Sequence, residues 1–206
     1  MRLKSGIIKL LIVDLPKPHT KGFISFEEVL YKRRSVRDYR NEPITLYQLS
    51  QLLWSAQGIT SEYGYRTAPS AGALYPLEIY FSAENVESID SGIYKYDPLN
   101  HQIMCIKFGF YNQELYKACL YQPQVADAPL VIVITAVFER TTRKYGQRGI
   151  RYVFNEVGHV SQNIYLQATA LGLGTVAIGA FEEDLIKSIM GIKEEPVYIM
   201  PVGVPL

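Results

Sequence analysis

The chain contains only two cysteines, Cys105 and Cys119, among its 206 residues. They stand alone, without a CxxC pair or a nearby histidine pair, so the sequence offers neither a zinc site nor a disulfide framework. None of the three histidines, His19, His101 and His159, has metal-ligand spacing to another histidine or cysteine. We therefore expect no bound metal and a reducing, cytoplasmic location.

The chain has no excess of charge and no long apolar run. It carries 21 Lys and Arg against 20 Asp and Glu, a net charge of +1, whereas a dedicated nucleic-acid binder needs a broad positive surface. The apolar stretch over residues 6–13 is interrupted by Lys9 and ended by Asp14, and it is far too short to span a bilayer. We therefore expect no nucleic acid and no membrane as partners, and one domain over residues 1–206 with an N-terminal arm over residues 1–24.

Several motifs that identify large enzyme classes are also missing. There is no G-x-G-x-x-G after a strand, no Walker A sequence and no G-x-S-x-G nucleophile elbow. These absences argue against a dehydrogenase that holds NAD on a Rossmann domain.

What the sequence does contain is a succession of helix and strand patterns. Ser25 with Glu28 forms one capping box, which predicts a helix to about residue 34. Thr45 with Gln48 forms a second capping box, which predicts a helix that Gly58 stops. Alternation predicts a strand over 77–82 with one polar face, and an almost wholly apolar run predicts a strand buried on both faces over 130–138. Further patterns predict a hairpin of strands 92–96 and 102–106, strands 175–180 and 197–202, and helices 112–120, 151–171 and 182–190. This order is typical of a mixed α+β layer fold.

A cluster of positive charge lies at the end of the first predicted helix. It consists of Arg33, Arg34, Ser35 and Arg37. Each guanidinium presents a rigid fork of N–H donors that matches a phosphate bidentately and never loses its charge. The same residues are also typical of a solvated turn with scattered charges, so the hypothesis of an anion site depends on the rest of the chain.

Two further stretches are built of small residues. The loop between two prolines exposes backbone N–H groups to a flat or anionic ligand, although a tight loop before a strand would look the same. Its candidate residues are Pro69, Ser70, Ala71, Gly72 and Ala73. On the predicted strand 175–180, small side chains leave room for a planar group against the backbone, although close packing under a helix is the alternative. The candidates there are Ala177, Ile178, Gly179 and Ala180.

The pair Lys144 and Tyr145 is a fourth candidate, and Arg148 and Arg151 follow it. A lysine beside a tyrosine can act as a proton-transfer pair, because either group can pass on a proton. An ordinary surface loop is the alternative interpretation of this stretch. His159, within an apolar-faced helix pattern, is expected at the edge of the core with one or two hydrogen bonds.

Six stretches of the chain occur in an order that is characteristic of one family. They read RRSVRDY, SQLLWSAQGIT, TAPSAGALYP, KYGQRGIRY, NEVGHVSQNIYLQATALGLGTVAIGAF and PVGVP. Any one of them is a weak signal, but six in register are specific. Together they resemble the nitroreductase superfamily, and within it the SagB-type, or thiazole/oxazole dehydrogenase-like, branch, over about residues 25–205.

The resemblance implies an FMN flavoprotein with an α+β sandwich, in which a central, mixed but mostly antiparallel sheet is flanked by helices. It also implies an intertwined homodimer with two active sites at the subunit interface. On this pattern the FMN phosphate and ribityl chain are held by Arg33, Arg34, Ser35 and Arg37. The flavin is lined from the partner subunit by Pro69, Ser70, Ala71, Gly72 and Ala73. The isoalloxazine lies along Ala177, Ile178, Gly179 and Ala180, and its pyrimidine edge faces Gln122 or, with less support, Gln124.

The activity that the resemblance implies is ping-pong hydride transfer. NAD(P)H would reduce flavin N5, and a small organic acceptor such as a quinone or nitroaromatic would then take the electrons. Lys144 and Tyr145 match the pair that members of the SagB-type branch use as the base in azoline oxidation, so dehydrogenation of azoline-type rings is an alternative. A flavin-binding protein without turnover is a second alternative.

One departure concerns the phosphate site. Many nitroreductases carry a Lys or Arg beyond the final strand that also touches the FMN phosphate. The sequence has no such residue after Pro205. The N-terminal arginines are therefore expected to carry the neutralising charge alone.

Overall fold

A seven-stranded sheet is the centre of the fold in the computed structural model, which describes residues 11–206. The order across the sheet is β1-β4-β3-β2-β5-β7-β6, and every pair of neighbouring strands is antiparallel. Two isolated parallel bridges, Ser35 with Thr175 and Ile44 with Val86, join loops to the sheet. The strands are β1 (Ile12–Asp14), β2 (Leu77–Ala83), β3 (Gly92–Asp97), β4 (Gln102–Phe108), β5 (Leu130–Ala136), β6 (Gly174–Thr175) and β7 (Glu195–Gly203).

In the described part of the chain, seven α-helices cover the two faces of this sheet. They are α1 (Phe26–Lys32), α2 (Leu46–Gln57), α3 (Asn112–Ala118), α4 (Pro123–Asp127), α5 (Phe138–Tyr145), α6 (Arg148–Ala170) and α7 (Glu183–Met190). Helices α2 and α6 pack on one face, with α1 and α5 against α6, whereas α3, α4 and α7 pack on the other. Among the helices of residues 11–206, none is long and apolar enough to cross a membrane.

Strand β5 explains how the two layers are held. All seven of its residues are buried, and successive side chains of a strand point to opposite faces. Leu130, Ile132 and Ile134 enter the hydrophobic cluster beneath α2 and α6, while Val131 and Val133 enter the cluster beneath α3, α4 and α7. The expected α+β sandwich and the central strand buried on both faces are thus confirmed.

The helix starts follow from their capping residues. Thr45 and Gln48 form both hydrogen bonds of a capping box at the start of α2, and α2 ends before Gly58. Ser25 caps α1 by accepting a hydrogen bond from the Glu28 N–H. Because α1 ends at Lys32, the arginine cluster lies in the extended segment that follows the helix.

The predicted strand over residues 175–180 is wrong. Only Gly174 and Thr175 belong to β6, and the ladder then breaks. The Ala177 N–H donates to the Tyr165 hydroxyl instead of to a neighbouring strand, and a single bridge joins Ile178 to β7. The candidate residues of this stretch therefore lie in irregular backbone, and its last two are exposed.

Other predictions also need correction. Strand β5 ends at Ala136, two residues before the end predicted for it. Two helices were not predicted: α4 over residues 123–127 and α5 over residues 138–145. The face of β2 that carries Tyr80 and Ser82 is buried, because the layer of α3, α4 and α7 covers it. His159 is exposed on α6 and is not at the core edge. The remaining predicted helices and strands are confirmed with shifted ends, and the first ten residues of the predicted arm lie outside the described residues.

Candidate functional site

The arginine cluster is a group of cations in the segment after α1. Arg33 is half-buried, and its guanidinium carbon lies 5.2 Å from the centre of the Tyr165 ring. Arg34 is exposed and donates to the carbonyls of Tyr31 and Arg33 at 2.9 and 2.8 Å. Within residues 11–206, neither these two nor Arg37 has a carboxylate within 4.0 Å. Their charge is therefore available to an external anion.

Tyr165 joins this cluster to the stretch of small residues after β6. Its hydroxyl lies 3.1 Å from the Ser35 hydroxyl and accepts a hydrogen bond of 2.7 Å from the Ala177 N–H. Beside this link, the Val36 N–H donates to the Thr175 carbonyl at 2.9 Å. The structure thus brings together two of the predicted groups, and the residue that joins them was not predicted.

The far end of the same stretch meets Gln122, which lies just before α4. The Gln122 amide nitrogen donates to the carbonyls of Ala180, at 3.1 Å, and Cys119, at 3.0 Å. The amide of the buried Gln124 donates to the Gln122 amide oxygen at 3.3 Å. Gln122, Gln124 and the segment 177–180 therefore form one continuous polar edge.

The loop between the two prolines holds an unusual backbone conformation. Gly72, Ala73 and Tyr75 all have left-handed φ angles, of 65°, 54° and 45°. A left-handed conformation is strained in residues other than glycine and persists where surrounding contacts impose it. Here the Tyr75 N–H donates to the Ser70 hydroxyl at 2.9 Å, and Arg140 of α5 donates to the Tyr75 carbonyl at 3.0 Å.

Lys144 and Tyr145 face this loop from the end of α5. A Cβ atom added to Gly72 would lie 2.7 Å from the Tyr145 hydroxyl and 2.9 Å from Lys144 Nζ. The Tyr145 ring also packs edge-on against Tyr152 of α6, with 5.1 Å between ring centres. The alternative interpretation of an ordinary surface loop is wrong, because the pair forms the last turn of a helix and converges on the proline-flanked loop.

The candidate residues thus form two groups. In the first, Tyr165 joins residues 33–37 to residues 177–180, and Ala180 accepts a hydrogen bond from Gln122. The second joins residues 69–73 to Lys144 and Tyr145. Among the described residues no hydrogen bond or ion pair connects the two groups within one chain.

Neither Cys105 nor Cys119 is a candidate for a reactive thiol. Burial raises the pKa of Cys119 to about 12 and also raises the pKa of Cys105, so both remain protonated near neutrality. Across residues 11–206, no three His, Cys, Asp or Glu side chains gather in a way that could hold a metal ion.

Sequence reasoning missed a buried polar cluster beneath the proline-flanked loop, formed by Gln57, Arg66 and Glu156. Arg66 donates to the Gln57 amide oxygen at 2.7 Å, and Glu156 is only 2% exposed. A signal for Glu156 was present, because it is the one carboxylate within the apolar periodicity of α6. Tyr165 carried no such signal.

Comparison with known proteins identifies the family. The model of the nitroreductase family matches residues 30–204, and the chain belongs to that family. It is accordingly a flavin-dependent oxidoreductase. A nitroreductase-family protein of Methanocaldococcus jannaschii is 53% identical over 180 residues, which are 87% of this chain and 91% of that protein.

Solved structures show the same fold. A crystal structure of a nitroreductase-family protein from Anabaena variabilis has a TM-score of 0.85 and 29% identity, and it covers 96% of this chain and 42% of that chain. The chain is also similar to the microcin B17-processing protein McbC of Escherichia coli, with 28% identity over 64% of this chain and 50% of that protein. The E. coli microcin synthetase McbBCD complex superposes with a TM-score of 0.71 at 22% identity, covering 92% of this chain and 76% of that chain. The resemblance seen in the sequence is thereby confirmed.

Proposed function

We propose that the protein is an FMN-dependent oxidoreductase that carries hydride from NAD(P)H to a small organic acceptor, such as a quinone or a nitroaromatic, by a ping-pong mechanism. The observation that carries this proposal is the Tyr165 link in a nitroreductase-family chain. It joins residues 177–180 to the arginine cluster, in which Arg33, Arg34 and Arg37 have no carboxylate of residues 11–206 within 4.0 Å. Both cysteines are free and buried, which fits the reducing cytoplasm as the place of action.

The chemistry of the donors in the first group fits FMN. A phosphomonoester carries about −1.5 to −2 charges at neutral pH, and guanidiniums match its oxygens bidentately. Arg33, Arg34 and Arg37 would hold this phosphate, and the Ser35 hydroxyl would bind the phosphate or the ribityl chain. FMN, when bound, supplies hydride chemistry at its N5 atom.

The remaining residues would orient the ring. The exposed backbone of Gly179 and Ala180 offers peptide groups without bulky side chains in front of them, and Ala177 and Ile178 lead the chain to this edge. Gln122 has a polar amide next to Ala180 that suits the pyrimidine edge of the ring, where carbonyl oxygens and an N–H alternate.

We further propose that the protein works as a homodimer in which the second group serves the flavin of the partner subunit. Pro69, Ser70, Ala71, Gly72 and Ala73 would line that flavin. Within residues 11–206 no hydrogen bond or ion pair joins the two groups in one chain. Helix α6 presents exposed apolar side chains, Ile150 at 38% and Phe154 at 52%. These two side chains lie one helical turn apart on the same face, and contiguous exposed apolar surface is typical of a protein interface.

The cofactor is tested by its binding. The purified protein is expected to be yellow and to release FMN on denaturation, and a colourless protein that FMN cannot reconstitute would contradict the proposal. Arg33→Ala and Arg37→Ala should each weaken FMN binding by about 1.5–3 kcal/mol, the range for a charge-assisted hydrogen bond. Fluorescence titration measures this, with Arg40→Ala as the matched control, because Arg40 lies in the same segment but is paired with Glu42 at 3.7 Å. Riboflavin, which lacks the phosphate, should bind equally to all of these proteins.

The hydride donor is tested by anaerobic mixing. NADH or NADPH should bleach the visible absorbance of the flavin, and a quinone or nitroaromatic should restore it. Bleaching by neither nucleotide would leave the reductase proposal without a donor. Bleaching without transfer to any acceptor would favour a flavin-binding protein without turnover.

A second candidate function is dehydrogenation of azoline-type rings, and the position of Lys144 and Tyr145 favours it. Both polar ends converge on Gly72 in the proposed flavin loop, and the chain is similar to a microcin-processing protein. Tyr145 or Lys144 would remove the ring proton, the accompanying hydride would pass to FMN, and O2 would reoxidise the cofactor. Oxidation of an azoline by the wild type, lost in Lys144→Ala and Tyr145→Phe but retained in Arg143→Ala on the same helix, would support this function. Equal rates in all variants would return the pair to a structural role.

A further inference from the structure

Tyr75, the last left-handed residue of the proline-flanked loop, has a contact on each of its polar groups. Its N–H donates to the Ser70 hydroxyl at 2.9 Å, and its own hydroxyl accepts from the Arg66 main-chain N–H at 3.2 Å. The Arg66 guanidinium carbon lies 4.4 Å from the centre of its ring. Its carbonyl accepts a hydrogen bond of 3.0 Å from Arg140 Nη1. A φ of 45° is strained for a tyrosine and persists where surrounding contacts impose it, so these contacts fix the turn.

Arg140 connects this turn to the rest of the fold. Ser70 and Arg66 are near neighbours of Tyr75 in the chain, whereas Arg140 comes from α5, 65 positions away. Its other terminal nitrogen, Nη2, forms an ion pair with Glu78 Oε1 of β2. The planar fork of a guanidinium can make both bonds at once. Arg140 therefore joins the loop, α5 and β2 at one point.

The orientation of Arg140 is set by Glu78. The second carboxylate oxygen of Glu78, Oε2, lies 3.2 Å from Lys95 Nζ of β3. Lys95 also lies 3.6 Å from Glu194, which accepts a hydrogen bond of 2.9 Å from the Tyr80 hydroxyl. Because both oxygens of Glu78 are paired, one with Arg140 and one with Lys95, the carboxylate has a fixed orientation and fixes the guanidinium in turn.

The same helix carries the candidate proton-transfer pair. Lys144 follows Arg140 by four residues, so the two lie one turn apart on the same face of α5. Arg140 binds the end of the loop at Tyr75, while Lys144 and Tyr145 approach its middle at Gly72. Two points of α5 thus meet the loop, and the Arg140 hydrogen bond determines how loop and helix are aligned.

The position of Arg140 suits a role in the loop better than a role in overall stability. Its side chain is 41% exposed, and ion pairs of exposed side chains contribute little to the free energy of unfolding. Without Arg140, Glu78 would keep Lys95 as its partner. The Tyr75 carbonyl would lose its donor from α5. Removal of Arg140 should therefore act on the loop and leave the sheet intact.

We propose that Arg140 is a positioning residue for the flavin-lining loop: oriented by Glu78, it holds the Tyr75 carbonyl and thereby fixes the turn that presents residues 69–73 to the flavin. The same contact keeps Gly72 in front of Lys144 and Tyr145. Arg140 touches neither the flavin nor the substrate in this role. The proposal rests on the proposed flavin site.

The test compares the binding of riboflavin and FMN to the whole protein. Riboflavin lacks the phosphate, so it reports on the ring site and not on the arginine cluster. In Arg140→Ala the dissociation constants of both ligands should rise by the same factor, about fivefold or more, within the usual range of coupling between sites. Arg33→Ala should weaken the binding of FMN alone. The visible circular dichroism of bound FMN should also change in Arg140→Ala, whereas a purely structural loss would lower the fraction of protein that binds and leave this spectrum unchanged.

Three further variants identify the contact responsible. Arg143→Ala removes an exposed arginine of the same helix and should keep the wild-type affinities and spectrum. Arg140→Lys, which keeps a charged donor but lacks the fork, should give a riboflavin dissociation constant between those of the wild type and Arg140→Ala. Glu78→Gln removes the charge that orients Arg140 and should weaken riboflavin binding by itself. Combined with Arg140→Ala it should add no further loss, because both changes act through one contact.

The outcomes separate this proposal from the proposed function. Wild-type affinities and spectrum in Arg140→Ala would overturn the role of Arg140, as would an equal loss in Arg143→Ala. If Arg140→Ala does not fold, Arg140→Lys decides, and a wild-type riboflavin dissociation constant in that variant would overturn the role. Failure of the wild type to bind either FMN or riboflavin would instead overturn the proposed flavin site, so the two failures are distinguishable.

Discussion

At the scale of single residues, the candidate site depends on side chains that join distant parts of the chain. Tyr165 satisfies a backbone N–H at Ala177 and a hydroxyl at Ser35, 130 positions away in the sequence. The same ring lies beneath the Arg33 guanidinium, a favourable cation–π contact. One side chain thus fixes both ends of the proposed phosphate and ring site.

Tyr165→Phe should therefore weaken both stability and flavin binding. The substitution keeps the ring but leaves the half-buried Ala177 N–H without its acceptor. Loss of such a hydrogen bond should lower the free energy of unfolding by about 0.5–1.5 kcal/mol. Urea unfolding measures the first effect and FMN titration the second. Tyr63→Phe, the same change at an exposed tyrosine (77% exposed), is the control. Identical unfolding midpoints and FMN affinities in the two variants would contradict the assigned role.

At the scale of the elements, the capping residues of a helix determine where it begins and therefore which side chains face the core. The capping box of Thr45 and Gln48 satisfies backbone groups that a helix start leaves free. This start aligns the buried face of α2, at the end of which Gln57 reaches the polar cluster beneath the loop. The cap at the start of α2 thus helps to position Gln57 at its other end, next to Arg66.

Thr45→Ala should lower the free energy of unfolding by about 1 kcal/mol, the usual cost of losing a side-chain cap. Urea denaturation followed by circular dichroism checks this value. Thr20→Ala, at an exposed position outside the helices, should have no comparable effect. A loss in Thr45→Ala no larger than in this control would show that the cap contributes nothing.

At the scale of the whole molecule, the outer face of α6 remains open to solvent. Ile150, Phe154 and Gly158 recur every four residues on that face, and nothing lies within 4 Å of the position that a Gly158 Cβ would take. The apolar and small residues allow close approach of a second surface. This face is where we expect the partner subunit.

If the proposed homodimer forms through this face, Phe154→Glu should yield monomers and lower the flavin content, because the proposed site needs residues of both subunits. Sedimentation velocity together with absorbance of the flavin checks both outcomes. Leu185→Glu introduces the same charge at an exposed apolar position of α7 (45% exposed) and should leave the dimer intact. Dimers that persist in Phe154→Glu would place the interface elsewhere.

The sequence by itself determined most of the elements, because their signals are local. Apolar periodicity, capping boxes and turn residues act over a few positions, which is why α2, α6, β5 and the hairpin of β3 and β4 were predicted nearly to their ends. The charge cluster was also visible, since three arginines stand within five residues. The six stretches in register pointed to the family.

Only the tertiary structure decided how these pieces meet. The stretch 175–180 has the composition of a strand, but β6 ends at Thr175 and the Ala177 N–H donates to the Tyr165 hydroxyl instead of to a neighbouring strand. Helix α5 was missed because its polar sequence gains its position from packing on α6. Tyr165 was missed because its contacts with Ser35 and Ala177 join parts of the chain that are far apart in the sequence. Such effects depend on contacts between residues far apart in the chain, and these contacts have no local pattern from which they could be predicted.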